Sequence, residues 1–117
     1  MNVMFKYDIQ NNKLFEDIKK IEKLTQEKGI TLLNEYNLRK KLDLLVIFSE
    51  DINEIHKYTD KIINKVKYIL IVTQNLKTEH ILACIEITPY IIHFNCGTNK
   101  IVNKILEIGN KRNETSN

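Results

Sequence analysis

Apolar residues return along this chain in two rhythms. Short dense runs at residues 3–7, 30–36, 42–48, 68–72 and 90–94 predict strands. The run at 42–48, interrupted only by Asp43, and the wholly apolar run at 68–72 read as strands covered on both faces. Between the runs, apolar side chains recur every three or four positions, the period of a helix with one buried face. Leu14, Ile18, Ile21 and Leu24 form the first such set, and Ile52, Ile55, Thr59, Ile62, Ile63 and Val66 the second. Leu76, Ile81, Leu82 and Ile85 predict a short third helix beginning near Thr78, and Ile101, Val102, Ile105, Leu106 and Ile108 a fourth.

Punctuation between the runs agrees with these elements. Asn11 and Asn12 are suited to cap the first helix and Gly29 to end it. Asp51 with Glu54 has the spacing of a capping box at the start of the second, and Gly109 is placed to stop the fourth. Pro89 breaks helical geometry before the last strand. Strands alternating with helices predict an α/β fold: a single layered domain with a mostly parallel or mixed sheet of about five strands and helices packed on it. Residues 1–109 form that domain, and 110–117 read as a flexible polar tail.

With 117 residues the chain has length for one domain and one core. Its 43% apolar content, 28% charged content and net charge of +3 are those of an ordinary globular protein, with a basic excess too small to mark a dedicated nucleic-acid binder. Ile, Lys and Asn are abundant, and their AT-rich codons account for part of this composition. Two cysteines, Cys84 and Cys96, cannot supply a four-thiolate metal site and read as free thiols in a reducing compartment. Lys6 and Asp8 interrupt any secretory apolar segment, and no run approaches membrane-span length. The expected location is cytoplasmic, possibly also nuclear, with no membrane partner.

Candidate chemistry is sparse. Neither GxGxxG nor GxxxxGK[ST] occurs, so the familiar phosphate loops are absent, and no small-molecule substrate or cofactor is indicated. Asp43 followed by Glu54, Ile55, His56 and Lys57, with Glu35 upstream, loosely follows the acidic pattern of restriction-endonuclease-like nucleases, but Glu54 and His56 fall in a helical pattern. Such a degenerate nuclease is the least favoured reading. His56, His80 and His93 show no metal-ligand spacing with one another or with a carboxylate. The sequence therefore assigns no catalytic and no metal residue. An enzyme is less expected than a binding protein.

The strongest local feature is the loop at residues 95–100 between the last strand and the last helix. Gly97 is free there to take a positive φ, and the helix that follows presents unpaired backbone N–H groups. Ile91, Ile92, His93, Phe94, Asn95, Cys96, Gly97, Thr98, Asn99, Lys100 and Ile101, followed by Ile105, Ile108 and Gly109, resemble a segment of the PRPK-binding (TPRKB-type) subunit of the KEOPS complex. Residues 44–48 with 51–53, and 78–84, are similar to two further stretches of that family, so the resemblance spans residues 42–109.

The resemblance implies a non-catalytic accessory subunit of a tRNA-modifying complex that forms threonylcarbamoyladenosine. Such a subunit binds a kinase-like ATPase and helps hold the tRNA acceptor end. Gly97, Asn99, Lys100 and Ile101 map onto the family's tRNA-facing loop, and His80 onto a helix start nearby. Two other readings stand beside it. One is a plain helix cap at Thr98. The other is a stand-alone α/β protein-interaction or regulatory module of receiver-like or flavodoxin-like outline, whose switch would need an acidic pocket at the carboxyl ends of the strands. For that pocket the sequence offers Asp8.

Overall fold

The computed structural model describes residues 1–8, 12–33, 41–60, 62 and 64–114. Five parallel strands, β1 (Asn2–Tyr7), β2 (Thr31–Leu33), β3 (Leu42–Phe48), β4 (Val66–Thr73) and β5 (Tyr90–His93), form one sheet in the order β2-β1-β3-β4-β5. Four helices cover it: α1 (Asn12–Glu27), α2 (Ile52–Thr59), α3 (Thr78–Ile87) and α4 (Thr98–Glu114). The α/β layered domain expected from the alternation is therefore the observed one, and the sheet is wholly parallel among the described residues.

Side chains alternate across each strand and so divide into two cores. On one face Val3, Leu44, Val46, Leu70 and Val72 meet Ile18 and Ile21 of α1 and Ile101, Ile105 and Ile108 of α4. On the other Met4, Leu45, Ile47, Ile69 and Ile71 meet Ile55 of α2 and Cys84 of α3. All seven residues of β3 are buried, as its two-sided apolar run requires. Its one carboxylate is accommodated because Asp43 accepts a 2.8 Å hydrogen bond from the Asn2 backbone N–H and thereby fixes the start of β1.

Three expectations at element ends need correction. The helical pattern at 52–66 overruns, since α2 ends at Thr59 and Val66 belongs to β4, paired with Leu42. Ile62 is still buried, against the same core, so an apolar residue in a turn mimicked the helical period. The capping box is half formed: Asp51 Oδ1 accepts from the Asn53 N–H at 2.9 Å, whereas Glu54 accepts from the Tyr58 hydroxyl at 2.9 Å. Gly109 does not stop α4, which continues to Glu114 and takes in the first part of the expected tail. Gly29, by contrast, does close α1 with φ +85°. Strand β2 ends at Leu33; the rest of the expected 30–36 run, the Arg39–Lys40 connection, Asn11 and residues 115–117 lie outside the described residues.

Candidate functional site

A doubly wound parallel sheet creates a crevice at the carboxyl ends of its strands, where successive connections leave to opposite faces. Here that point lies between β1, which leads into α1, and β3, which leads into α2 on the other face. A cleft of about 240 Å³ opens there. Tyr7 and Phe48, the last residues of β1 and β3, form its floor with Phe94, while Asp8, Glu50, Asp51 and Glu54 supply carboxylates around it.

The floor is an aromatic cluster. Phe48 packs edge-on against Phe94 with ring centres 6.1 Å apart and against Tyr7 at 6.4 Å, and Phe5 adds a tilted contact at 5.3 Å. Such pairs contribute beyond their buried area and hold one another's orientation. The Tyr7 hydroxyl donates to Glu22 Oε1 of α1 at 3.0 Å, and burial, partly opposed by the neighbouring Lys19, raises its pKa. Tyr58, whose hydroxyl donates to Glu54, is pushed up to about 12 by burial and by that carboxylate. Both phenols stay protonated donors. Ser49 is buried, and its Oγ accepts from the Asp51 N–H at 3.1 Å, so it orients the loop.

The acidic pocket that the sequence anticipated through Asp8 alone is thus more acidic than expected, yet its centre is Phe48, a side chain without an ionisable group. Among the described residues no three His, Cys, Asp or Glu side chains stand together as metal ligands. The carboxylates of the nuclease-like pattern are separated by the length of β3: Asp43 lies near its amino end, and Glu54 lines the cleft beyond its carboxyl end. Glu35 lies outside the described residues.

Of the residues tied to the loop after β5, Gly97, Asn99 and Lys100 are exposed. Gly97 takes φ +106° between a short 3-10 turn (Phe94–Cys96) and α4, a backbone state that requires glycine. Ile101 is fully buried in the α1/α4 core, so it anchors the helix and offers nothing to a partner. His80 is also turned inward at 6% exposure, across α3 from solvent. A contact from Gln74 Nε2 to Asn95 Oδ1, 3.2 Å, ties the loop after β4 to the loop after β5, which brings the two regions to one end of the sheet without exposing His80.

His80 Nε2 lies 3.1 Å from Thr73 Oγ1 and 3.6 Å from Cys84 Sγ. Burial lowers the histidine pKa and raises that of the thiol, so both are neutral near pH 7 and no thiolate–imidazolium pair forms. The expectation that no histidine has a helical-spaced partner needs correction at two positions: Cys84 lies four residues after His80, and Asp60 lies four after His56, its Oδ1 3.9 Å from His56 Nδ1 on the exposed end of α2. That spacing on a helix was the available signal.

No protein-family model and no curated protein matches this sequence. Among solved structures the chain is similar to a response regulator from Thermotoga maritima, with a TM-score of 0.60 at 13% identity over 92% of this chain and 95% of that one. At that identity the likeness concerns the fold. No helix among the described residues is long and apolar enough to cross a membrane.

Proposed function

We propose that this chain is a non-catalytic protein-interaction module on a response-regulator-like frame, associating with a second copy of itself through the outer face of α3. One observation carries the reading: Leu76, Leu82 and Ile85 remain 61%, 57% and 53% exposed on and just before this helix. Leu82 and Ile85, three residues apart, share a helix face, with Leu76 in the loop before it, and aliphatic groups left in water this way mark a docking surface. The occupant follows from charge. An antiparallel two-fold contact centred on Leu82 brings Glu86 of one copy beside Lys77, which precedes α3, of the other; both residues are exposed. Covering the exposed half of six aliphatic side chains contributes on the order of 6 kcal/mol before the cost of association, which sets a transient dimer. The packing of Phe48 on Phe94 and Tyr7 supports the non-catalytic part of the reading, because it makes the floor of the cleft part of the core.

Sedimentation velocity over about 10 to about 500 µM tests this. The expected result is a concentration-dependent shift to dimer that Leu82→Glu abolishes while the thermal melt is retained. A monomer throughout that range sinks the proposal.

A second reading, the accessory subunit of a tRNA-modifying complex, is supported by the exposure of Asn99 and Lys100 in the first turn of α4 behind Gly97. It predicts salt-sensitive binding of folded tRNA that weakens in Lys100→Ala, together with co-purification of a kinase-like ATPase. Failure of both removes it.

A further inference from the structure

At the opposite end of the sheet from the cleft, the sequence places tyrosines at the starts of two neighbouring strands. Tyr90 opens β5, and Tyr68 lies diagonally across from it on β4, where Leu70 is the direct partner of Tyr90. Their rings meet edge to face with centres 5.9 Å apart. They wall a groove of about 340 Å³ together with Lys67 and Pro89. Thr88 makes this wall rigid: its hydroxyl donates to the Ile69 carbonyl at 2.6 Å and accepts from the Tyr90 N–H at 3.2 Å.

Lysines converge on these rings. Lys111 Nζ stands 4.8 Å from the centre of the Tyr90 ring and 3.4 Å from its hydroxyl, Lys104 Nζ is 5.9 Å from the same ring, and Lys67 Nζ is 5.8 Å from that of Tyr68. Lys100, Lys104 and Lys111 lie within about 40° of one another around α4, and the line from first to last is about 16 Å long. Glu107 shares that face and pairs with Lys104 at 3.4 Å, offsetting one of the strip's four lysines.

We infer that this strip binds single-stranded nucleic acid. The α4 lysines follow the phosphodiester backbone, and the Tyr68–Tyr90 groove receives a base. Lysine side chains resting on an aromatic face are mobile cations on long stems. When a base takes the ring, Lys111 and Lys104 turn to the flanking phosphates and keep their charge interaction. Recessed tyrosines suit a planar base better than a bilayer, for which a surface helix presents protruding aliphatic anchors. The inference does not rest on the α3 interface or on the acceptor-end reading. It draws on tyrosines and lysines that neither of them uses, with Lys100 as an extension of the track.

Fluorescence anisotropy with labelled oligouridylate and oligothymidylate 12-mers tests the strip in the full chain. About three net phosphate contacts give a slope of log affinity against log salt near −2 on a single strand. The double variant Lys104→Gln/Lys111→Gln lowers that slope to about −0.7. Tyr90→Ala weakens binding about tenfold with the slope kept, and Tyr90→Phe binds as wild type, because stacking needs the ring and not the hydroxyl. A preference for the RNA oligomer assigns the site to RNA, and equal binding assigns it to either strand. If Tyr90→Ala fails to fold, the surface lysine pair alone decides. Leu82→Glu should bind normally, which keeps this test separate from dimerisation. The inference is overturned if neither oligomer binds at low salt, if the lysine pair and Tyr90→Ala variants both bind like wild type, or if phosphatidylserine vesicles are bound as tightly as the oligomers.

Discussion

Gly109→Ala tests how firmly the start of β1 is pinned to α4. Gly109 is an interior residue of the helix with no positive φ, so alanine is compatible with its backbone and gains about 1 kcal/mol of helix propensity over glycine. Against this, a Cβ built at 109 would lie 2.6 Å from Met1 Sδ and 2.9 Å from Met1 Cε. The contact is with the far end of a flexible side chain. The Met1 backbone is held independently, its carbonyl accepting from the Thr31 N–H at 3.1 Å, so the thioether can swing away without disturbing the β1–β2 pairing. Met1 is only partly buried, and displacing its tip sacrifices roughly 0.5 kcal/mol, less than one buried methylene. The propensity gain wins, and the expected net is a stabilisation of about 0.5 kcal/mol, or a rise in Tm of about 2 °C for a domain of this size. Urea denaturation followed by far-ultraviolet circular dichroism reads it as a higher midpoint at constant slope. A loss of more than about 1 kcal/mol would refute the reasoning, since it would mean that Met1 cannot move and that glycine is retained for space.

Three further outcomes are expected. Gly97→Ala meets no atom within 4 Å but must adopt φ +106° and ψ 154°, so the expected loss is about 1–3 kcal/mol by denaturant titration; no loss would show that the turn into α4 readily rearranges. Thr88→Val removes the 2.6 Å bond to Ile69 and leaves the carbonyl buried, costing about 2 kcal/mol, and an unchanged urea midpoint would contradict this. Burial holds the folded pKa of His80 below its ordinary 6.5, so the unfolded chain binds this proton more readily. Stability from this group is therefore complete above about pH 6.5 and declines as pH falls below it, by at most about 1.4 kcal/mol per pH unit. Comparing wild type with His80→Gln between pH 7 and 5 isolates the contribution; parallel curves would refute it.

The fold was legible where one principle acted alone. β3 was read to its boundaries because seven buried positions in a row leave no other element of that length. α3 was found from Thr78 although its apolar residues do not share one face. His80 and Cys84 face inward while Leu82 and Ile85 face water, so the signal was helical period without a clean buried side. Misreadings arose where residues serve two roles. Ile62 extends a helical period from within a turn, and Gly109 looks like a stop signal but lies beneath Met1, a contact between residues 108 positions apart that no local pattern can announce. At the loop after β5, exposure divided the expected residues. Asn99 and Lys100 point outward, while Ile101, just over half a turn beyond Asn99, faces the core.

The end of β3 carries the further lesson for function. A parallel sheet of this order delivers its strand ends to one crevice whatever the sequence, so the frame by itself invites a ligand. What the frame holds there is decided by single positions. Phe48 ends β3 and touches Phe5, Tyr7 and Phe94, which makes the crevice floor part of the core. Replacing Phe48 by Asp would put a carboxyl among those rings, where desolvation costs several kcal/mol. The aromatic floor is thus structural, and the acidic rim above it is a solvated edge. Two helical surfaces depart from ordinary solvation in opposite ways: α3 leaves aliphatic groups in water, and α4 lines up lysines over tyrosine rings. Because these surfaces differ in chemistry, one variant on each, Leu82→Glu and Lys104→Gln/Lys111→Gln, separates association with protein from association with nucleic acid.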